Sequence, residues 1–527
     1  MGIKRFTRAC SSMVVLLMVA CSPPGPEQPS AQVRDATMVG HWSADRAIAA
    51  FLGVPFAAPP VGPRRWREPA PLVSSGTIDA GNFKPACMQG PHMVNWYQDL
   101  VARFGGNPDV FPVPEFSEDC LYLNVWTPRL DPDAALPVMV WIHGGSHRGG
   151  WAFEPNYLGE ELARNGVVVV SIPYRLDVFG FFTHPELEVS NFGLLDQVAA
   201  LGWVQDHIEN FGGDPANITV FGESAGASSI GYLLASPLSR GLFQRAIHQS
   251  AGYQLINTHT RDQFLPQGLE LERRVLAEQG GSGLDALRGV SAGDLLAAAA
   301  EVYADDRPNV VIDGHTLPIS VRAALDQQRL QAVDLMIGSN ADEWRMYLGP
   351  DTVEADLAAR LQGYETTAEA AIRQALADSP TALARLDRLI TAQRFVCPSL
   401  DLAGYAAAMG RNVHFYYFTR IRPGAGGRDV GAYHGAELPY VFDTHDAWLP
   451  TEPIDRELGR LMGRYWSNFA RSGDPNIAGA PDWPRFDAVA GDTLAIGDTI
   501  SVIEHPERRL CEALKLAASS TTARKPE

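Results

Sequence analysis

Apolar runs rich in β-branched residues alternate along this chain with stretches whose apolar residues recur every three or four positions. Residues 137–143 (PVMVWIH), 166–172 (GVVVVSI) and 218–221 (ITVF) are almost continuously apolar. That is the pattern of strands covered on both faces. Residues 335–338 (LMIG) and 413–418 (VHFYYF) predict two more strands. Between the second and third of these, Leu194, Val198, Leu201, Val204, Ile208 and Phe211 fall on one face of a helix. Gly212, Gly213 and Pro215 then stop it. Residues 255–330 and 345–410 are rich in Ala, Leu, Arg and Glu and predict helices inserted between strands. Strands alternating with helices predict an α/β fold, a mostly parallel sheet with helices on both faces.

The first residues do not fit that pattern. Lys4, Arg5 and Arg8 precede a short apolar run, 13–20 (MVVLLMVA), and then Cys21. The run is well short of the ~18 apolar residues of a spanning helix. A basic start, a short apolar core and a small residue before the break predict a secretory signal. The cysteine directly after LMVA resembles the bacterial lipobox, which implies cleavage before Cys21 and lipidation of it. The alternative is an ordinary signal cut a few residues later. Pro23, Pro24, Pro26 and Pro29 predict a semi-extended tether over 21–37. The chain therefore divides into a lipoprotein-type signal (1–20), the tether (21–37), one catalytic domain (38–517) and a polar tail (518–527). Its expected location is exported and membrane-anchored through the lipid alone, on the periplasmic or cell-surface face.

Composition narrows the class. Of 527 residues, 46% are hydrophobic and 20% charged, which excludes disorder or a fibrous fold as the main content. The net charge of −18 argues against a nucleic-acid partner, since phosphate contact needs a basic surface. There are six cysteines. With Cys10 removed in the signal and Cys21 lipidated, Cys87, Cys120, Cys397 and Cys511 remain. An even number in an oxidising compartment permits two disulfides, in any of three pairings.

The chemistry centres on Gly222-Glu223-Ser224-Ala225-Gly226. This GxSxG follows a predicted strand and precedes a run of small residues that can open a helix. At such a turn the serine is strained and exposed above the sheet, and flanking side chains would collide with neighbouring elements. A serine hydroxyl is a weak nucleophile, so it needs a base and the base an orienting acid, in the chain order Ser, Asp/Glu, His. After Ser224, residues 337–343 (IGSNADE) offer two carboxylates at a strand end, and His434 lies in 433–439 (YHGAELP) on a loop edge. Earlier, Gly144, Gly145 and Ser146 follow a predicted strand, where backbone N–H groups can face a reacting carbonyl oxygen. The N–H of Ala225 would be another donor. Neither a Walker-type loop nor an HExxH zinc pattern is present.

Taken together, 51–62 (FLGVPFAAPPVG), 117–125 (SEDCLYLNV), 191–197 (NFGLLDQ) and above all 211–226 (FGGDPANITVFGESAG) resemble the type-B carboxylesterase and cholinesterase family of α/β-hydrolases, across about 38–515. The resemblance implies a large twisted sheet with helical insertions over the active site, and a serine carboxylesterase acting through an acyl-enzyme. It assigns Ser224 as nucleophile, Glu343 as triad acid and His434 as base. Gly145, Ser146 and Ala225 become the oxyanion donors, Ser250 a buried serine supporting Glu343, and Glu223 the buried carboxylate beside the nucleophile. It also pairs Cys87 with Cys120 and Cys397 with Cys511. No cofactor or metal is implied, and the partner is a small-molecule ester. The chain departs from the family pattern at Ser146 (for Gly), Trp344 (for Gly) and Pro173 (for Asn), and Trp96 does not match the spacing of the choline-binding tryptophan. The rival readings are an inactive esterase-like binding module and an amidase with the same triad. A neutral-base mechanism predicts activity falling with acid, at an apparent pKa of about 6–7.

Overall fold

The computed structural model describes Gly2 and residues 28–277, 280–505 and 507–521, with side chains to 516. The expected signal peptide and Cys21 lie outside the described residues.

Eleven strands form one sheet. They are β1 (His41–Trp42), β2 (Ala49–Pro55), β3 (Tyr122–Thr127), β4 (Leu136–Ile142), β5 (Val168–Ile172), β6 (Gly213–Glu223), β7 (Arg245–Gln249), β8 (Asp334–Asn340), β9 (Val413–Phe418), β10 (Asp492–Ile496) and β11 (Ile500–Glu504). Their order across the sheet is β11-β10-β9-β8-β7-β6-β4-β5-β3-β2-β1. From β5 to β10 every neighbouring pair is parallel, and the edges are antiparallel. The parallel block explains the continuous apolar runs, because both of its faces are covered. Val138, Val140 and Ile142 of β4 join one core, with Leu201 and Val204 of helix Phe192–His207 and Ile230 and Leu233 of helix Ala225–Ala235. Met139 and Trp141 point the other way, into a core with Leu458, Met462, Trp466 and Phe469 of helix Pro453–Ser472. Those four recur along a single stripe of a twenty-residue helix, which ends at Gly473 with φ 79°.

The inserted helices are found as expected. Arg261–Leu276, Leu284–Arg288, Ala292–Val302 and Val321–Asp326 stand between β7 and β8, and Glu354–Leu361, Thr366–Ala375, Ala382–Thr391 and Cys397–Ala408 between β8 and β9. The first chain boundary differs from the expectation. Ser30–Val33 and Asp35–Val39 pair antiparallel, and Ser75–Asp79 adds a third strand. Ala31, Val33, Ala36 and Met38 are buried on alternate positions, so strand replaces tether from residue 30. At the other end, helix Arg508–Thr521 passes the boundary expected at 517. Both disulfides form, Cys87–Cys120 and Cys397–Cys511, with Cα atoms 4.9 and 5.5 Å apart. The second ties helix Cys397–Ala408 to the C-terminal helix. Among the described residues, no helix is long and apolar enough to cross a membrane.

Candidate active site

Strand β6 runs straight into helix Ala225–Ala235 with Ser224 at the junction. Its φ of 54° and ψ of −120° are unfavourable for an L side chain, so the fold holds it there by packing. The flanking glycines show why the turn admits no other residue. A Cβ on Gly226 would lie 1.9 Å from the Ile142 carbonyl oxygen, and one on Gly222 2.7 Å from the same atom. The helix begins at Ala225, so its positive end faces the serine.

Glu343 and His434 come from loops that follow β8 and β9. Asn340, the last residue of β8, donates its N–H to Glu343 Oε1 at 2.7 Å and its Nδ2 to the Tyr433 carbonyl at 2.8 Å. Asp342 accepts from the Ala432 N–H at 2.9 Å. One strand end thus aims the acid and holds the histidine loop. His434 Nδ1 lies 2.6 Å from Glu343 Oε2, and Nε2 lies 2.7 Å from Ser224 Oγ. With its proton on Nδ1, the imidazole donates to the carboxylate and accepts from the hydroxyl. Of the two carboxylates the bare sequence offered, Asp342 is engaged with backbone and Glu343, fully buried, faces the histidine.

Gly145, Ser146 and Ala225 line the same cavity as Ser224, and among the described residues no hydrogen bond engages their N–H groups. Gly145 has φ 97°, and a Cβ there would lie 2.1 Å from the Gly149 carbonyl oxygen. Ser146, at φ 58°, is exposed to the cavity. His147 braces this loop against the elbow through Ser229 Oγ at 2.9 Å. Trp344 is also a wall residue, with the Arg394 guanidinium 4.3 Å above its ring. Ser250 lines the cavity too, but no hydrogen bond joins it to Glu343. Both oxygens of that carboxylate are taken, by Asn340 and His434. The support the resemblance implied for Ser250 falls instead to the Asn340 backbone. Phe395, whose ring packs 5.0 Å from that of His434, and Trp96, which donates to the Tyr347 hydroxyl at 3.0 Å, also line the cavity. Neither carries a sequence motif that would have marked it.

Glu223 Oε1 stands 3.3 Å from His434 Nε2. Burial by itself depresses the imidazole pKa, but the charges of Glu223 and Glu343 outweigh it and carry it up to about 9. Burial raises Glu223 to about 8, opposed by the imidazolium. The two groups compete for one proton. Moving it from His434 to Glu223 leaves the imidazole neutral without changing the net charge. A base must be neutral to accept, so the acid limb of kcat/KM is expected above the 6–7 of an ordinary imidazole. Glu223→Gln removes the charge that raises the imidazole most, destabilises the imidazolium and moves that limb to lower pH. A pH–rate profile unmoved by the substitution would exclude this coupling.

The cavity measures about 580 Å³. Among the described residues, no three His, Cys, Asp or Glu side chains are grouped to hold a metal ion. A nucleophile hydrogen-bonded to a base, a base fixed by a buried acid and unengaged N–H groups beside them can carry out acyl transfer.

Comparison with known proteins gives a consistent picture. The family model described as "Carboxylesterase family" matches residues 28–514. The fumonisin B1 esterase of Sphingopyxis macrogoltabida is 35% identical over 513 residues, covering 89% of this chain and 88% of that protein. The para-nitrobenzyl esterase of Bacillus subtilis (strain 168) is 33% identical over 482 residues, covering 88% and 94%. Among solved structures, a carboxylesterase of Geobacillus stearothermophilus superposes with a TM-score of 0.78 at 31% identity, covering 92% of this chain and 99% of that one.

Proposed function

The chain belongs to the carboxylesterase family of carboxylic-ester hydrolases, and from that premise we propose that it cleaves esters through Ser224, His434 and Glu343 by way of an acyl-enzyme. His434 Nε2 takes the proton as Ser224 Oγ attacks the ester carbonyl. Glu343 keeps the other imidazole proton on Nδ1 and stabilises the imidazolium. The N–H groups of Gly145, Ser146 and Ala225 receive the oxyanion, and each such donor is typically worth roughly 3–4 kcal/mol of barrier. As the C–O bond breaks, the alcohol leaves with the proton from His434. Water then attacks the acyl-enzyme by the same relay and restores Ser224.

The observation that carries this reading is the unbroken hydrogen-bonded line from Ser224 Oγ through His434 to Glu343, at 2.7 and 2.6 Å. The test is a stopped-flow burst with p-nitrophenyl butyrate, followed by mass spectrometry of the quenched enzyme. A butyryl adduct on the peptide carrying Ser224 is expected. Turnover with the adduct on another residue would sink the assignment.

The basic start, the short apolar run and Cys21 support a second reading, of export followed by lipid attachment at Cys21. Cells fed a palmitate analogue should label the protein, and the Cys21→Ser variant should stay unlabelled. Equal labelling of both would refute the anchor.

A further inference from the structure

The chain carries a net charge of −18, yet three arginines line the cavity that holds Ser224, namely Arg148, Arg307 and Arg394. Among the described residues, no carboxylate lies within ion-pair distance of any of them, and no hydrogen bond engages their guanidinium groups. Arg148 Nε is buried without any partner, an uncommon state for so strong a donor. Arg148 and Arg307 lie near enough to oppose each other's charge. Burial and then Arg307 hold Arg148 below its ordinary value, and burial with both arginines keeps His92 neutral, at about 4. Asp177 faces the pair but is buried, with its own pKa raised, and makes no ion pair with either.

The carboxyl groups on the cavity wall do little to offset this. Glu154 and Glu223 are raised by burial to about 7 and about 8, so near neutrality neither carries a full charge, and Glu223 competes with His434 for one proton. Glu154 is in any case engaged by the Tyr97 hydroxyl and the Trp151 N–H, at 2.5 and 3.0 Å. The cavity is therefore a positive pocket in an acidic molecule, which concentrates anions.

The three cations sit in different places relative to the chemistry. Arg148 follows the oxyanion loop directly, and its N–H bonds to the Gly145 carbonyl at 3.0 Å. Arg394 precedes Phe395, the residue packed on His434. In the proposed mechanism His434 hands its proton to the departing alcohol, and the Phe395 ring packs 5.0 Å from that imidazole, which assigns the alcohol to the Arg394 side. The Arg148–Arg307 pair is left for the acyl group.

We propose that the preferred substrates are esters whose acyl chain ends in a free carboxylate, gripped by Arg148 and Arg307. A guanidinium fork matches a carboxylate in plane and charge, and the bonds are charge-assisted. The proposal rests on the serine-esterase reading. Ser224 Oγ bonds to the acyl carbon, the alcohol leaves with the His434 proton, and water releases a dicarboxylate.

The test compares p-nitrophenyl hydrogen adipate with p-nitrophenyl hexanoate, two esters of equal acyl length that differ in the terminal charge. In the full, disulfide-intact enzyme, kcat/KM for the adipate is expected to exceed that for the hexanoate by about tenfold at low salt, with the difference shrinking as salt screens it. The ratio should fall to about one in Arg148→Gln and, separately, in Arg307→Gln. Hexanoate turned over as well as adipate by the wild type would overturn the proposal. So would a preference that survives both substitutions, or a stronger Arg148- and Arg307-dependent preference for 4-acetoxybenzoate, which carries its charge on the alcohol. Failure to hydrolyse either ester would instead remove the serine-esterase reading on which the proposal stands.

Discussion

Ser224→Ala is expected to reduce kcat for p-nitrophenyl butyrate by roughly a millionfold and to abolish the burst, while leaving the fold intact. The size follows from what the hydroxyl does. His434 and Glu343 have no reaction to assist once Oγ is gone, so their contributions vanish with it and the losses do not add. What survives is binding and the oxyanion donors, which alone give a residual rate over water of about 10³–10⁴. The geometry predicts tolerance of the change, because alanine has a Cβ like serine and removes only an atom that points at the cavity and at His434 Nε2. The checks are burst amplitude, steady-state rate and an unchanged melting temperature. A variant that keeps a tenth of the wild-type rate would place the nucleophile elsewhere.

Glu343→Gln is expected to cost about 10⁴-fold in kcat. The carboxylate is fully buried and accepts on both oxygens, from the Asn340 N–H and from His434 Nδ1. An amide has one oxygen and one NH₂. If its oxygen keeps Asn340, the NH₂ faces Nδ1 and forces that nitrogen to become the acceptor. The proton then moves to Nε2 and points at Ser224, which blocks the base. If the amide turns over, its NH₂ meets the Asn340 N–H in a buried space, and an unsatisfied donor there costs roughly 1–3 kcal/mol of stability. Activity and melting temperature together separate the two arrangements. Near-normal kcat with near-normal stability would mean that Glu343 does not orient the imidazole.

The sequence marked some parts of this molecule far better than others, for physical reasons. Strands β4, β5 and β9 could be read almost to the residue because helices cover both their faces, so nearly every position is apolar. Strand β7 (RAIHQ) is just as buried but gave no signal. Its polar residues turn inward onto particular partners, near and far along the chain. Gln249 bonds Glu437 and Trp466, and His248 bonds Gln254. The short edge strands β1 and β11 have a face or an edge in solvent and no apolar run to show. In the site, Ser224 was legible because a tight strand-to-helix turn imposes local demands on Gly222 and Gly226. The choice between Asp342 and Glu343 came only with the family resemblance, because adjacent carboxylates differ only in which loop they meet. Arg148, Arg307 and Arg394 were invisible as a group, since they converge from three segments spread over some two hundred and fifty residues.

The inserted helices have a consequence for how such a molecule can change over time. The groups assigned to bond breaking hang on strand ends and on loops pinned to them, where a shift is felt by the whole sheet. Arg307 and Arg394 belong to the two inserts that leave the sheet after β7 and β8 and return to it at the next strand. An insert can be rebuilt, lengthened or exchanged between relatives while the strand ends keep their register. The Arg307 part of substrate choice is in this sense modular, while Arg148 stays on the loop beside the oxyanion donors. Mutation can explore new esters along one part of the gene while selection holds the reaction fixed in another, and an engineer can follow the same division.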